Sequence, residues 1–513
     1  MKRGSPGAVA ILTPMHSTNV RRPAEPNAMP LAQDPSADSG PGSGPNPDAV
    51  PSCRQPLAER WLRVWHAWER TAWRGAIAWM AVVAVAWLTY QTWRYFSVPT
   101  QLGEKAVSLG AIDLHNRFDE VRSWFRGEFV YAMYADAVYP PASYALLGFV
   151  FNVLPWVIVK PLWYFLSLVS VGILGRTLVE HSLAGSPTEK TFLGLMPFAF
   201  YATGAAVGNG QLVVFVLPLV VSAILLLSRP DSPERGIGRG SLLMLFALVQ
   251  PTIAAPFFWL VIFLSPRLKP AIVVVALYLT MTALAVPFQI GATVPKTPKQ
   301  PPAAVAASGP GATSSVDPWT PEDRQRYLER VAHDGSVLTI WSKRATQAAG
   351  IGSVRGGYAS AHDILAAFGL SALNLPVSLA ILIVLGGWVF RHRRGDLWLL
   401  LAVTAIVARM WTYHRWYDDL LLVFPLIALF RTTKLPTSSP RTRVLAASLF
   451  FWVWLFLLAP GVLYTLPHPE ILVGVQVGGW IAALVFLLLE ARRERLAIDR
   501  GTPSSGSGIA GPT

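Results

Sequence analysis

Cysteine is nearly absent: one residue, Cys53, stands in 513. No disulfide can form within the chain, so its fold must rest on packing alone. Charge is scarce as well. Asp, Glu, Lys and Arg make up 14% of the residues against 53% hydrophobic ones, a balance that soluble domains rarely show. Acids are the scarcer sign, 29 against 43 bases, which leaves a formal charge of +14. Familiar enzyme signatures are missing. There is no GxxxxGK[ST] phosphate loop, no HExxH, no CxxC and no GxSxG elbow, and the first of these absences disfavours ATP-driven transport by this chain alone. The 9 histidines are scattered, and no two stand at metal-ligand spacing.

Apolar length is what the sequence has in plenty. Gly75 to Trp93 (GAIAWMAVVAVAWLTYQTW) is uncharged throughout; as helix it reaches about 28 Å, close to one hydrocarbon core. Similar runs recur to residue 490. A membrane β-barrel would alternate apolar and polar residues in short segments instead. The fold class expected is all-α, a polytopic integral membrane protein with about 12 transmembrane or re-entrant helices.

The positive residues cluster between apolar runs, where they set topology rather than bind nucleic acid. Residues 1–55, rich in Pro, Gly, Ser and Ala, are expected as a disordered cytoplasmic tail. Residues 56–74 set Trp61, Trp65, Trp68 and Trp73 among arginines and read as an interfacial amphipathic helix. The first apolar run starts too late for a secretory signal and has no small-residue cleavage site, so it should persist as a helix. The positive-inside rule puts its leading end in the cytoplasm and turns the loop 97–139 outward, across the cell membrane. The clusters Arg229 to Arg239, Arg267 with Lys269, Arg391 to Arg394, Arg431 to Arg443 and Arg492 to Arg495 then share the cytoplasmic side, and residues 491–513 form a second cytoplasmic tail. The insertion 291–362 falls outside, with a surface helix expected from Pro321 to about His333 behind the capping sequence Thr320-Pro321-Glu322-Asp323.

Length has further consequences. Residues 240–266 lie between two basic clusters and number only 27, too few for two spans of roughly 20 each. They should form a short hairpin broken at Gln250-Pro251. The arms of the next hairpin, Asp396 to Ala408 and Leu420 to Phe430, reach roughly 20 and 16 Å as helix. Its tip, Arg409 to Asp419 (RMWTYHRWYDD), should therefore sit partway down in a cavity open to the outside, where ionisable residues point to function. Four apolar pieces between 139 and 228 (139–159, 161–175, 191–207, 211–228) fit no odd number of crossings. One piece is re-entrant, or the piece around Gly208-Asn209-Gly210-Gln211 is broken.

The densest polar stretch, Ala111 to Tyr144, follows the first span and carries Asp113, Arg117, Asp119, Glu120, Arg122 and Arg126. Singly, each feature has a bland reading. Asp113 with Arg117, and Asp119 with Arg122, read as pairs on a wet helix face. Glu120 has no evident role, Tyr139-Pro140-Pro141 reads as the start of a helix, and His414 with Asp418 reads as a structural pair. Their order carries more. Asp113-Leu114, Trp124-Phe125-x-Gly127, Tyr131 and Tyr139-Pro140-Pro141 follow a first span. Gly210-Gln211 opens a later apolar helix, Gln250-Pro251 breaks a hairpin, and Tyr413-His414-x-x-Tyr417-Asp418 tips another. This set resembles glycosyltransferase family 87, GT-C fold enzymes that use polyprenyl-phosphate-linked mannose or a related sugar.

The resemblance covers roughly residues 75–490 and implies a GT-C transmembrane catalytic domain there. It implies a hexosyltransferase or mannosyltransferase of the cell envelope, with a polyprenyl-phosphate sugar as donor substrate and a glycan or glycolipid as acceptor. It implies that Asp113 is the general base of an inverting transfer, with Arg117 as the cation that keeps it ionised. The residues expected at the substrate are Arg117, Asp119, Tyr139, Gln211, Gln250, Arg409, His414, Arg415 and Asp418. The leaving lipid phosphate needs fixed charge or donors. Arg409, His414 and Arg415 are the candidates, with Lys160 as another, because the family's Lys-Pro stands here as Gln250-Pro251 and glutamine carries no charge. No metal or cofactor is assigned. Two other readings stay open. A secondary transporter or lipid flippase would carry matching inverted halves. An O-antigen ligase or polymerase-like envelope enzyme would have its large outer loop late in the chain.

Overall fold

A computed structural model of the chain describes residues 72–97, 110–134, 137–228, 234–290, 337–341, 359–458 and 468–500. The tail 1–55, the amphipathic stretch up to residue 71, the Pro321 to His333 helix and residues 501–513 lie outside the described residues. Among the described residues the regular structure is helical, with no strand.

Six helical stretches are long and apolar enough to cross a membrane: Trp73–Ser97, Trp156–His181, Lys269–Gln289, Ser371–His392, Pro440–Leu458 and Ile471–Asp499. The count rises to 7 if the bent pair Pro187–Ala199 and Tyr201–Asn209 is one span. By length and composition the chain is thus a multi-pass helical membrane protein. The first span, in helix α1 (Ala72–Ser97), has only 17% of its apolar window buried, and Trp79, Val82 and Val85 face outward. An apolar surface of this extent suits lipid rather than water.

The core is built from shorter helices. After α1 come α2 (Ile112–Phe125), α3 (Pro141–Phe151), α4 (Trp156–His181), α5 (Pro187–Ala199), α6 (Tyr201–Asn209) and α7 (Val213–Leu227). Then follow α8 (Glu234–Ala247), α9 (Pro251–Leu264), α10 (Lys269–Ala285), α11 (Asn374–His392), α12 (Leu397–Met410), α13 (Val423–Lys434), α14 (Pro440–Leu458) and α15 (Pro469–Asp499). Helix α13 is buried all round from Val423 to Phe430, as an apolar stretch in a protein interior should be.

Both expected short hairpins are present. Helices α8 and α9 have 14 residues each, about 21 Å and well short of a roughly 30 Å core. Gln250 caps α9, with Pro251 in its first turn. Helices α12 and α13, of 14 and 12 residues, pack on each other, and the 3-10 turn Trp416–Leu422 joins the tip to α13.

The stretch between 139 and 228 contains two breaks. The boundary expected at residue 160 falls earlier: α4 starts after Pro155 and runs unbroken past Lys160 and Pro161, because a proline this near a helix start leaves only the Val157 carbonyl without its rung. Helices α5 and α6 meet at Phe200 with a 46° bend, where the Thr203 hydroxyl donates to the Pro197 carbonyl and keeps the broken backbone satisfied. The chain breaks again at Gly208-Asn209-Gly210-Gln211, which forms a Schellman cap. Gly210 is left-handed at φ 74, its N–H bonds to Val207 O at 3.1 Å, and Gln211 N–H bonds to Ala206 O at 2.8 Å.

Gly210 has a second constraint. A Cβ there would stand 2.5 Å from Leu114 Cβ in the first turn of α2. Gly210→Ala is expected to lose about 1–2 kcal/mol from the left-handed backbone alone and more from the displaced turn. The midpoint of detergent-titrated unfolding measures it, and an unchanged midpoint contradicts the tight seat.

Three of the five basic clusters expected to share a side, those around Arg391, Arg431 and Arg492, meet at one end. Arg431 Nη2 pairs with Asp396 at 2.7 Å and Nη1 donates to the His181 carbonyl. Lys434 pairs with Glu189, and Glu494 accepts the Asp396 N–H at 2.9 Å. The ends of α4, α5, α12, α13 and α15 are thereby gathered together. Helix α15 continues past residue 490 to Asp499, carried by the Glu490–Arg493 and Arg495–Asp499 pairs.

Candidate functional site

Asp113 sits in the first turn of α2, where the exposed N–H groups favour a carboxylate. The start of that helix is held tightly. Ala111 adopts φ 58 and donates its N–H to the Gly208 carbonyl at 2.8 Å, so α2 springs from the capped end of α6. At about 100° per residue, Asp113, Arg117 and Glu120 share one face of α2 with Trp124, while the buried Leu114, Phe118 and Val121 lie on the neighbouring face. Trp124 fastens the other end. Its ring stacks on Tyr144 at 4.4 Å and its indole N–H donates to Ala285 O at 2.9 Å.

A cation near Asp113 is Arg94, close to the end of α1. Arg94 donates to the Asn209 side chain and lies within electrostatic reach of Asp113. The expectation was Arg117. That residue forms an ion pair with Glu120 and lies over the Tyr139 ring, 4.5 Å from its centroid. Glu120 is buried and also accepts the Tyr144 hydroxyl at 3.2 Å. Glu120 thus has a role that the sequence did not reveal. Asp119 points about 120° away from Asp113 and pairs with His115 at 3.6 Å. Arg122, read as the partner of Asp119, donates instead to the Phe151 and Leu154 carbonyls, each at 3.1 Å.

The second group of candidates lies at the hairpin tip, Arg409 to Asp419. His414 Nδ1 meets Asp418 Oδ2 at 3.0 Å, and the Arg415 N–H donates to the same oxygen at 3.1 Å. Arg415 Nε donates to the Tyr413 hydroxyl. Two phenols report that the tip and the α2 face are neighbours. Burial pushes the Tyr139 phenol up; Arg117 opposes this, while the charges of Glu120, Asp113 and Asp418 add to it. Burial also pushes Tyr417 well up, with Arg415 opposing and Asp113 and Asp418 adding. Helix α6 is the common platform: its capped end carries Asp113, and the Trp416 ring packs against Tyr201 at 5.3 Å.

The remaining candidates fall in different places. Arg409 is fully buried, pairs with Asp419 through Nε at 2.6 Å and faces the Trp480 ring at 5.1 Å. Gln476 of α15 donates to Asp419 at 3.4 Å, so this pair is turned toward α15. Lys160 lies near the Tyr95 ring, at 5.6 Å. Gln211 is buried, with its backbone in the Schellman cap. Gln250 is buried one turn from Thr252, whose carbonyl accepts the Trp411 indole N–H at 2.8 Å. The break of one hairpin therefore abuts the tip of the other.

A group that the sequence did not single out adjoins the tip. Ser378 of α11 donates to the Trp411 carbonyl at 3.1 Å and meets His362 Nε2 at 2.7 Å. Burial pushes the His362 imidazole down, and His414 adds to that. His414 Nε2, Asp418 Oδ1, Gln250 Oε1, His362 Nδ1 and the Asn374 amide are buried and lack a hydrogen-bond partner among the described residues. Buried polar atoms are normally paired, and each one left empty costs about 1–3 kcal/mol. Such groups are where ordered water is found in protein interiors. Arg94 left one signal in the sequence, a lone arginine near the end of a long apolar run.

Among the described residues no three His, Cys, Asp or Glu side chains are grouped to hold a metal ion. No family model matches the chain, and no curated protein or solved structure matches it either.

Proposed function

We propose that the chain is a GT-C-type membrane glycosyltransferase. It moves a hexose, mannose by the family resemblance, from a polyprenyl phosphate to a glycan or glycolipid on the outer face of the cell membrane. One observation carries this reading: Asp113 and the His414–Asp418 tip, far apart in sequence, bear on the same two phenols, Tyr139 and Tyr417. A base and a set of donors on opposite sides of one space is what an inverting transfer needs.

In this reading Asp113 takes the proton of the acceptor hydroxyl. The acceptor oxygen attacks C1 of the sugar, and the bond from C1 to the phosphate oxygen breaks on the opposite face. Polyprenyl phosphate leaves with the electron pair. Arg94 keeps Asp113 ionised. Asp418 orients the His414 ring through Nδ1, which turns Nε2 toward the space, and Arg415 supplies positive charge for the phosphate. Arg409, paired with Asp419, is a positioning residue that holds the tip. Arg117 positions Tyr139. Gln250, Asn374 and His362 offer partners for sugar hydroxyls. The arrangement of about 12 transmembrane or re-entrant helices, with both chain ends in the cytoplasm, belongs to the same reading.

The test is a membrane assay with radiolabelled polyprenyl-phosphate mannose and an envelope lipid extract. Label should move to an extractable glycolipid or glycan and should depend on the protein. No transfer from any polyprenyl-monophosphate sugar would overturn the proposal. Transfer of a preassembled glycan from a diphosphate lipid would identify a ligase instead.

A further inference from the structure

We infer that the end of the bundle opposite Asp113 carries a binding site for the phosphodiester headgroup of an anionic phospholipid. The site is independent of the sugar-transfer reading.

A cavity of about 210 Å³ lies where the turn between α11 and α12 meets the last turns of α15, lined by Arg391, Arg393, Arg394, Asp396, Glu494 and Arg495. Its acids are already engaged. Asp396 takes Arg431 at 2.7 Å and the Trp398 N–H at 2.6 Å. Glu494 takes the Asp396 N–H at 2.9 Å, and Asp499 lies 3.5 Å from Arg495. The bases are less committed. Arg393 donates to the Phe390 carbonyl at 2.9 Å and lies over the Phe390 ring. Arg391 and Arg394 have no hydrogen bond and no ion pair among the described residues. Two exposed arginines, without an ion pair among the described residues, thus line one cavity. Their guanidinium forks match phosphate geometry.

The volume is below the roughly 300–1,000 Å³ of pockets that enclose a drug-sized metabolite, but it suits a phosphate group. The surroundings favour a lipid as its bearer. Helix α11 leads straight into the cavity, and its Ile383, Val384 and Phe390 are exposed on the apolar span beneath the arginines. An acyl chain can lie along that face while the headgroup reaches the forks. A basic pocket between helix ends at a membrane surface is a setting in which acidic headgroups bind.

The full-length protein in nanodiscs of phosphatidylcholine mixed with phosphatidylglycerol provides the test, with retained lipid counted by native mass spectrometry. Wild type should retain phosphatidylglycerol over phosphatidylcholine. Joint Arg391→Gln and Arg394→Gln substitution should weaken retention about tenfold. Joint Arg391→Lys and Arg394→Lys, which keeps the charge that sets topology, should weaken it less, since lysine lacks the fork. Arg441→Gln, at the same end but outside the cavity, should change nothing. Inorganic phosphate should fail to displace the lipid; displacement would mean a soluble-anion site. Equal retention by wild type and both double variants, or equal loss in Arg441→Gln, would leave these arginines as topology determinants only and overturn the proposal.

Discussion

Asp113→Asn is expected to leave the protein folded and to slow sugar transfer by about 10³-fold, within the 10²–10⁴ range that a positioned base contributes. The change keeps shape and size and removes only the charge. The frame around residue 113 does not depend on that charge. Ala111 is tied to Gly208, Trp124 to Ala285 and Tyr144, and Arg94 to Asn209. The loss should therefore fall on kcat, with KM for the lipid-linked sugar little changed, because the base acts as the acceptor proton moves. Asp119→Asn provides the internal comparison. Asp119 lies on another face of α2, against His115, and its loss should cost no more than about twofold on the same reasoning about facing. Incorporation of label at saturating donor, with unfolding midpoints recorded alongside, decides between them. Full activity in Asp113→Asn removes that carboxylate from the mechanism.

The second large effect concerns stability. Asp419→Ala should cost about 3–5 kcal/mol, since it leaves the Arg409 guanidinium charged and without its counter-ion in the interior. Both side chains are fully buried, 0% exposed, and joined at 2.6 Å. Replacing the pair together, with Arg409→Met and Asp419→Leu, should recover most of the loss, because two buried charges are then removed rather than one. The double variant also tests the role given to Arg409. If Arg409 only holds the tip, transfer survives in proportion to folded protein. If Arg409 binds the leaving phosphate, transfer fails although the protein is stable. Unfolding midpoints and transfer rates for the three variants separate these outcomes.

The site was partly legible beforehand, and the reasons for the misses are local. The cluster of Asp113, Arg117 and Glu120 stood out because charge is rare in this chain. Which of them would pair was not readable. Arg117 can reach either the i−4 or the i+3 carboxylate, and the pair it forms with Glu120 depends on the burial of Glu120 beside Tyr144. Arg94 was hidden at the end of an apolar run, and its relation to Asp113 exists only because α1 and α2 both end against Gly208 and Asn209. His362 ends the long polar insertion and Asn374 and Ser378 follow it, and nothing in their spacing ties them to Trp411 or His414.

The sequence by itself determined the all-helical, multi-pass architecture, because bilayer thickness dictates how many apolar residues a span needs. It also determined the two short hairpins, since the basic clusters on either side leave too few residues for full spans. The breaks at Pro251 and Gly210 follow from proline's missing donor and glycine's freedom at positive φ. Tertiary structure alone decided which polar groups share a space. Ion pairing depends on burial and approach in three dimensions, and the bend at Phe200, the seat of α2 on Gly210 and the fit of the 3-10 turn against α6 set those approaches.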